Sequence, residues 1–488
     1  MRGVRRALAF SFAERYLLLV ISLGSNMAIA RLLTPEAIGI FSVSLAVIGI
    51  AQVMRDFGVA SYLIQERDLT DDHIRTAFGI TMLLGGAVFA LLFIAAPLIS
   101  RLYASPEMVA TLRICALNFL ALPFCTVSLA LLRRELAFKR LAAINLAAAA
   151  VGAVMSIVLA YSGYGAIGLA VGSVAVNVVT GAGAWLARRG RRLLLPSLSQ
   201  WRKLLNFGAQ SSLAGVVTSV SMDINDLAVG KIMGFEPVAI LSRAQGLMNL
   251  FHRDLMSAIR NVAYPAYAQA SRDQLALEPL YITSVTHVTV IAWPFYGFAS
   301  LYSLEILRLL FGPQWDSAAP LVPVFCLAGA LAATSNLIAT LVLAVGRVDL
   351  VTRVELMFQP FRAILIVVAA LLFESTMACA VALVLALLVQ VPLLYRVKQL
   401  CMPNDYRALF VRLCRSASVA LISLVFPAAI AFHAGFGREQ TVGPLIFVAA
   451  TLSCAVSWLF ALVVLRHPLT QDPVFIRLTR RWWHPRDA

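Results

Sequence analysis

Long apolar segments recur along the whole chain, and they constrain its fold more than any other feature. Fourteen segments are long and apolar enough to cross about 30 Å of hydrocarbon. They lie at 8–33, 36–57, 76–99, 109–132, 141–161, 164–187, 207–232, 236–261, 280–303, 318–345, 349–373, 376–396, 413–433 and 443–465. The mean hydropathy of +0.86 excludes a soluble globular protein of this size. The sequence therefore predicts an all-α polytopic membrane protein with about 14 transmembrane helices.

The basic residues between these segments predict the orientation of the chain. Of the 40 Lys and Arg residues, 29 lie in the tails and in loops on the same side as the tails, and six lie on the opposite side. Lysine and arginine are enriched in the cytoplasmic loops of membrane proteins. We therefore expect both termini to be cytoplasmic. The net charge of +16 follows this topological pattern and predicts no nucleic-acid partner.

The N-terminal run, the cysteines and the histidines each favour a simple interpretation. The first apolar run follows three arginines as a signal peptide does, but its length and the charges of Glu14 and Arg15 favour an uncleaved first helix. The seven cysteines form no C-x-x-C pair, and neither His252 nor His287 has a partner histidine at helical spacing. No phosphate-binding loop of the G-x-x-x-x-G-K-[ST] type occurs. We expect no metal and no cofactor.

The loops predicted on the extracytoplasmic side are too short to fold into a domain. The longest of them cover 100–108, 304–317 and 434–442. They offer no room for a catalytic site outside the membrane. We therefore expect the function to reside among the helices, and we do not expect an enzyme.

A band of polar residues interrupts the eighth apolar segment. At 100° per residue, six of its members fall within about 100° of one another. They are Ser242, Gln245, Asn249, His252, Arg253 and Arg260, and Arg243 lies in the same band. An Arg near the bilayer centre costs roughly 2.5–3.5 kcal/mol on the insertion scale, so the band should face water or a partner. A wet internal pathway is the leading interpretation.

Further polar residues occur in the first and seventh segments. Asn225 and Asp226 continue two series of polar residues spaced by seven, and Asp223 lies nearby. The first segment carries Glu14, Arg15 and Asn26. Several assignments stay open. Arg260 lies near a span end and either lines a cavity or reaches the interface, whereas Arg15 and Arg253 lie more than one helical turn inside their spans and are candidates to line a cavity. Asp223 and Asp226 are either ion-pair partners of arginines or proton or sodium sites, and Glu14 either couples an ion or pairs with Arg15.

Two segments of the chain repeat one another. Residues 31–40 resemble residues 231–240 at an offset of 200, and residues 99–106 resemble residues 306–313 at an offset of 207. Six spans followed by six of like orientation are parallel repeats. We therefore predict an N-terminal lobe at 1–195 with helices 1–6 and a C-terminal lobe at 196–400 with helices 7–12. Residues 401–488 add helices 13 and 14 and a basic cytoplasmic tail.

Six short motifs resemble the polysaccharide transporters of the multidrug/oligosaccharidyl-lipid/polysaccharide exporter superfamily. They are RLLTPEAIGIF at 31–41, RDFG at 55–58, LIQ at 63–65, RRELAFK at 133–139, AYPAY at 263–267 and LFGPQW at 310–315. The exporters of lipopolysaccharide, colanic acid and teichoic acid are the most similar group. This resemblance implies two six-helix lobes in a V, with helices 1, 2, 7 and 8 lining a central cavity, and two additional helices.

The resemblance also implies a substrate, an oligosaccharide repeat unit on undecaprenyl pyrophosphate that is moved across the cytoplasmic membrane of a bacterium. Arg offers a pyrophosphate a bidentate fork. Arg253, Arg243 and Arg15 are the first candidates for that contact, with Arg260 also facing the cavity. Asn26, Asn225, Gln245 and Asn249 would meet the sugars. The lipid tail would stay in the bilayer, among membrane lipids, and a polysaccharide polymerase and chain-length proteins would be partners.

Three other functions compete with this one. A cation-coupled multidrug antiporter of the same superfamily would use Asp223, Asp226 and Glu14 for ion coupling. A membrane glycan polymerase or ligase would need a large loop with catalytic groups. A scaffold without transport activity would leave the polar band unexplained. The excess of arginine over acidic residues in the pathway favours a carrier of an anionic substrate.

Overall fold

The computed structural model describes residues 2–56, 59–66, 68–135, 137–188, 195–202, 223–433 and 442–471. Within these ranges the chain is helical and contains no β-strand. It forms two compact units, Met1–Ala239 and Ile240–Ala488. The boundary between them lies within the eighth predicted span. The division into lobes at 1–195 and 196–400 stays a prediction.

Most of the predicted spans correspond to apolar helices. Within the described ranges, eleven helical stretches are long and apolar enough to cross a membrane, and a twelfth is added if the bent pair Leu277–Leu301 and Ser303–Leu310 is one span. These stretches match predicted spans one to six and nine to fourteen. The eighth predicted span is helical but polar, and most of the seventh lies outside the described residues. The chain is therefore an all-α, multi-pass membrane protein.

Within the described residues, the first unit contains nine helices. They are α1 (Arg2–Leu32), α2 (Pro35–Asp56), α3 (Val59–Gln65), α4 (Asp71–Leu102), α5 (Glu107–Ala116), α6 (Asn118–Arg134), α7 (Phe138–Tyr161), α8 (Gly165–Ala187) and α9 (223–232). Residues 33 and 34 separate α1 from α2, and residues 233 and 234 separate α9 from the next helix, which begins at Phe235. The two breaks are 200 residues apart, which is the offset at which the sequence repeats.

Small residues allow α7 and α8 to pack closely. A Cβ added at Gly172 would lie 1.9 Å from the Ser156 Oγ and 3.1 Å from the Gly152 carbonyl oxygen. Such contacts bring two helix backbones together where a hydrophobic driving force between helices is weak. The Arg134 guanidinium donates to carbonyls at the end of α3, including that of Leu63 at 3.0 Å. This contact fixes the short helix to α6.

The two copies of the duplicated segment meet inside the first unit. A Cβ added at Gly39 in α2 would lie 1.9 Å from the carbonyl oxygen of Phe235. The Tyr103 ring stacks on the Phe235 ring at 5.9 Å between centroids, and its hydroxyl donates to the Leu227 carbonyl at 3.0 Å. Lys231 donates to the Leu102 carbonyl. Glycine at position 39 therefore permits a backbone-to-backbone contact that no other residue would allow.

We expect Gly39→Ala to lower the thermal unfolding midpoint of the purified protein by several degrees. The added methyl group must push α2 away from Phe235, and overpacking of this kind typically costs about 1–3 kcal/mol. Gly24→Ala in α1 is the matched control, because none of the described residues lies within 4 Å of a Cβ at that position. Equal midpoints for the two variants would show that the close contact does not form in the folded protein.

The second unit begins within a long interrupted helix. Its elements are α10 (Phe235–Asn249), a π-helical turn (Leu250–Leu255), α11 (Met256–Arg272), α12 (Leu277–Leu301), α13 (Ser303–Leu310), a 3₁₀ helix (Pro313–Leu321), α14 (Val322–Ala333), α15 (Ile338–Ala344), α16 (Val348–Phe373), α17 (Thr376–Gln399), α18 (Tyr406–His433), α19 (Pro444–Val464) and a final 3₁₀ turn (Pro468–Gln471). The connection predicted as a loop at 304–317 is thus largely helical. It follows an 84° bend after Leu301.

The last two apolar helices pack on α12. The Tyr302 hydroxyl donates to the Pro427 carbonyl of α18 at 2.8 Å, and the Trp458 indole of α19 donates to the Val290 carbonyl at 2.9 Å. Large apolar side chains on the other faces are exposed, including Phe432 at 78% and Phe460 at 63%. Exposed phenylalanines on a membrane helix are suited to contact with lipid. Each of these two helices thus has one face held by hydrogen bonds and another face that exposes large apolar side chains.

His467 follows α19 and connects the segment after that helix to α18. The Leu469 N–H donates to the His467 Nδ1 at 3.2 Å, so that nitrogen carries no proton and the ring is neutral. The other ring nitrogen, Nε2, then donates to the Ser416 Oγ at 3.3 Å. Burial, followed by the positive fields of His287, Arg412 and Arg415, lowers the pKa of His467 to about 4.

We expect His467 to make the protein less stable in mild acid. Because its pKa is lower in the folded state than in the unfolded chain, its contribution is complete above about pH 6.5 and is lost as the pH falls toward 4. Between pH 7 and pH 5 this amounts to about 2 kcal/mol. In His467→Gln the amide can replace both hydrogen bonds without titrating, so the fall in unfolding midpoint between these pH values should be smaller than in the wild type. The same fall in both proteins would contradict this assignment.

Candidate functional site

The polar band of the eighth predicted span contains a π-helical turn. Leu250–Leu255 form this turn between α10 and α11. A π turn inserts a residue into the helix, disturbs the backbone ladder and often occurs at functional sites. The Tyr296 hydroxyl of α12 donates to the Met248 carbonyl at 3.3 Å, just before the turn. The polar band is therefore held by a neighbouring helix at its irregular point.

The π turn changes which residues of the band share a face. The predicted face assumes 100° per residue throughout 242–261, and this spacing holds only in the α-helical parts. Two residues eight positions apart on a regular helix lie about 80° apart. The wider π turn contains His252 and reduces its angular distance from Arg260. These two side chains consequently reach the same partner, Asn336.

Asn336 lies in a break of the tenth predicted span. Helices α14 and α15 are separated by residues 334–337, which form tight turns of the i to i+3 type. The Asn336 Oδ1 accepts a hydrogen bond from the Arg260 Nη1 at 2.6 Å, and its Nδ2 lies 3.2 Å from the His252 Nδ1. The structure thus places the guanidinium of Arg260, the amide of Asn336 and the imidazole of His252 together at one non-helical segment within the membrane-spanning region.

Other members of the band have different surroundings. The Arg253 side chain is 73% exposed and its Nε donates to the Asp254 Oδ1 at 3.2 Å. Gln245 and Asn249 are half-buried. A Cβ added at Gly246 would meet nothing within 4 Å, so this part of α10 faces open space within the described residues. Arg253 is the most accessible of the cationic candidates in the band.

Arg243 is packed against aromatic rings. Its guanidinium carbon lies 4.9 Å from the centre of the Phe311 ring and 5.0 Å from that of Trp315. Both rings belong to the LFGPQW motif at 310–315, whose position is fixed by a two-bond ion pair of Arg308 with Asp316 at 2.8 and 2.6 Å. Arrangements of a cation over rings stabilise the folded chain. Arg243 thus has a structural role in addition to any contact with a substrate.

The candidates of the first span are spread along α1. The Glu14 Oε1 accepts a hydrogen bond from the Asn145 Nδ2 of α7 at 3.1 Å. The Arg15 side chain is exposed. Asn26 is also exposed, and its amide donates to the Ser22 carbonyl of its own helix at 3.0 Å. The structure therefore does not bring these three residues into one cluster.

The acidic candidates lie in the described part of α9, at 223–232. Asp223 and Asp226 are half-buried, and Asn225 between them has a buried Oδ1 that forms no hydrogen bond with the described residues. A Cβ added at Gly49 of α2 would lie 2.5 Å from the Asp223 Oδ2. The carboxylate therefore faces α2. In the part of the chain that the structure describes, no group of three His, Cys, Asp or Glu side chains is arranged to hold a metal ion.

Sequence reasoning did not identify two features of this region. Thr334, Ser335 and Asn336 are three consecutive polar residues within an apolar segment, and this pattern was the available signal for a break in the tenth span. Lys398 lies between predicted spans twelve and thirteen, in a connection that the charge pattern predicts to be cytoplasmic, whereas its side chain is fully buried and paired with Glu278. No local pattern marks that pair, because 120 residues separate its members.

Comparison with known proteins identifies the relatives of the chain. A family model described as "Polysaccharide biosynthesis protein" matches residues 28–320, more than half of the chain. The lipopolysaccharide biosynthesis protein WzxC of Escherichia coli (strain K12) is 25% identical over 384 residues, which cover 76% of each chain. The teichuronic acid biosynthesis protein TuaB of Bacillus subtilis (strain 168) is 24% identical over 312 residues, which cover 62% of each chain.

Solved structures with the same fold are also found. The lipid II flippase MurJ in its inward closed conformation matches with a TM-score of 0.75 at 13% identity, over 95% of this chain and 99% of that one. An inward-facing multidrug resistance MATE family transporter of the MOP superfamily matches with a TM-score of 0.62 at 16% identity, over 81% of this chain and 96% of that one. At these identities the matches establish the fold alone.

Proposed function

Since the chain belongs to the family of polysaccharide biosynthesis proteins, we propose that it is a flippase for a lipid-linked oligosaccharide. The cargo would be an oligosaccharide repeat unit on undecaprenyl pyrophosphate, moved from the cytoplasmic to the outer leaflet by alternating access. Two relatives of the same fold support transport as the activity, because one is named a lipid II flippase and the other a multidrug resistance transporter. A further relative is named a succinoglycan biosynthesis transport protein.

The proposal includes the topology of the chain. Fourteen spans with both termini in the cytoplasm would place the chain in the cytoplasmic membrane, the inner membrane of a Gram-negative host. The excess of Lys and Arg on one side supports this orientation. In this orientation Arg260 lies near the cytoplasmic end of the eighth predicted span, at the side from which the cargo enters. A polysaccharide polymerase and chain-length proteins would receive the product.

The observation that carries the proposal is the cationic character of the helix from α10 to α11. Arg253 is exposed, and Arg260 is held by Asn336 in the membrane-spanning region. A pyrophosphate that leaves water needs charge-assisted donors, and the guanidinium group provides them in a fork that fits phosphate oxygens. Half-buried Gln245 and Asn249 offer neutral donors and acceptors to sugar hydroxyls. A cavity for a cationic drug would instead require acidic or aromatic groups at these positions.

A cation-coupled multidrug antiporter is the second candidate. Asp223 and Asp226 favour it, because two carboxylates three positions apart on α9 could bind an exchanged cation in turn. In the flippase proposal the same residues, with Glu14, are candidates for ion coupling. The two functions differ in their cargo, so the test must identify the cargo directly.

The experiment compares lipid extracts of a deletion strain with those of the parent and of the complemented strain. A flippase for this cargo predicts that pyrophosphate-linked repeat units accumulate and remain inaccessible to a glycosidase added outside intact spheroplasts. Surface polysaccharide is lost at the same time. Unchanged lipid-linked intermediates, together with increased sensitivity to cationic compounds, would instead support the antiporter.

A further inference from the structure

We propose that Asn336 is a positioning residue that arranges Arg260 and a neutral His252 as a paired donor set for the diphosphate of the cargo. This inference rests on the proposed function, and it adds His252 to the residues that contact the substrate. It explains why the fold has two irregularities, the π turn at Leu250–Leu255 and the break between α14 and α15. Each of them interrupts a helix at the position where it meets the other.

The chemistry of the three side chains fixes their orientation. A guanidinium group only donates hydrogen bonds, so the atom of Asn336 that faces Arg260 must be the Oδ1. The amide nitrogen of Asn336 therefore faces His252 and donates to its Nδ1, which must carry no proton. The proton of the neutral ring then lies on Nε2. Arg260 thus determines, through one amide, which nitrogen of His252 remains a donor.

The resulting donor set is suited to a diphosphate. Arg260 uses one of its five N–H groups on Asn336 and keeps the others for phosphate oxygens. The Nε2–H of His252 adds a neutral donor attached to the same amide. Two donors of different charge, held by one amide, can bind two linked phosphates at once. A single phosphate offers fewer acceptor oxygens to the same two donors.

A buried polar network fixes the break that carries Asn336. The Thr334 carbonyl accepts hydrogen bonds from the hydroxyls of Tyr281 at 3.2 Å and Tyr395 at 2.8 Å. A carbonyl released from a helix within a membrane needs such partners. The ammonium group of Lys398 lies 4.5 Å from the centre of the Tyr281 ring and pairs with Glu278. The break is therefore tied to α12 and α17 and is not a frayed helix end.

The test uses purified protein in proteoliposomes and a fluorescent oligosaccharide linked to a short polyprenyl chain through either one phosphate or two. Asn336→Ala should raise the KM for the diphosphate reporter about tenfold and change kcat much less. It should change the KM for the monophosphate reporter little. Thr334→Ala is the matched control, because among the described residues its hydroxyl bonds only the Leu331 carbonyl of its own turn, at 2.7 Å.

A double variant separates positioning from a general structural effect. If Asn336 acts through Arg260, then adding Asn336→Ala to Arg260→Ala should raise KM no further. A further rise equal to the effect of the single change would overturn the proposal, as would equal KM values for Asn336→Ala and Thr334→Ala. Failure of the wild-type protein to move either reporter would instead refute the proposed function itself.

Discussion

Replacement of Arg260 by alanine is expected to reduce export of the lipid-linked oligosaccharide at least about tenfold at unchanged protein level. The guanidinium is fixed by a 2.6 Å hydrogen bond to Asn336, so it meets an arriving phosphate without a further loss of side-chain freedom. Loss of one charge-assisted interaction of this kind is worth about 1.5–3 kcal/mol, which corresponds to about ten- to a hundredfold. The measurement is surface polysaccharide per cell in a deletion strain that carries the variant.

Two further variants make this prediction specific. Arg260→Lys keeps the charge but not the planar fork, and it should give an intermediate export level. Arg272→Ala removes an exposed arginine from the last turn of the same helix and should leave export near the wild-type level. If Arg260→Ala and Arg272→Ala behave alike, Arg260 does not contact the cargo.

The second large effect is expected on stability, from the ion pair of Lys398 and Glu278. Lys398 is fully buried, donates to the Asn404 Oδ1 at 2.6 Å and lies over the Tyr281 ring. The Glu278 side chain is 15% exposed and also accepts from the Asp405 N–H at 3.0 Å. Removal of one member of a buried pair leaves an uncompensated charge and typically costs about 3–5 kcal/mol. Both Lys398→Met and Glu278→Gln should therefore lower the unfolding midpoint of the purified protein strongly.

The double variant tests whether this loss comes from an unpaired charge. When Lys398→Met and Glu278→Gln are combined, no charge is left buried, so much of the lost stability should return. The exposed pair of Arg347 and Asp349 is the control, because both side chains are about half exposed and removal of one should change the midpoint little. Losses that simply add in the double variant would show that the two residues do not interact.

The sequence allows the helices and their boundaries to be predicted where local patterns determine them. Apolar runs long enough to span the bilayer have few alternative structures, because backbone groups in lipid must be paired within the segment. The break between two helices that occurs twice, 200 residues apart, is a second example. The first break lies between Leu32 and Pro35, and the second lies between residue 232 and Phe235. Both follow from a local pattern that occurs twice in the chain.

The parts of the candidate site that depend on distant partners could not be predicted in this way. The pairing of Arg260 with Asn336 joins residues 76 positions apart, and the π turn that brings His252 to the same amide has no period that can be recognised beforehand. A helical wheel at 100° per residue groups His252, Arg253 and Arg260 together. In the structure Arg253 is exposed beside Asp254, whereas the other two contact Asn336.

Charge patterns predict an orientation of the chain but not the role of each charge. Lys398 contributes to the count of basic residues on one side, yet its ammonium group is buried in an ion pair. Arg243 is another member of the polar band, and its guanidinium lies over the rings of Phe311 and Trp315. A residue type and its depth in a span predict that a charge needs a partner. They do not indicate whether that partner is a substrate or the protein itself.

The most direct measurement of the central claim is movement of the cargo by the purified protein. Proteoliposomes would contain the wild-type protein or Arg260→Ala, together with a fluorescent oligosaccharide on polyprenyl pyrophosphate in both leaflets, and reagent added outside would quench only the outer pool. We predict that the wild-type protein exchanges the inner pool with the outer pool faster than protein-free vesicles do, and that Arg260→Ala exchanges it at least about tenfold more slowly than the wild type. Equal rates for the wild-type protein and protein-free vesicles would contradict the assignment as a flippase for this class of cargo.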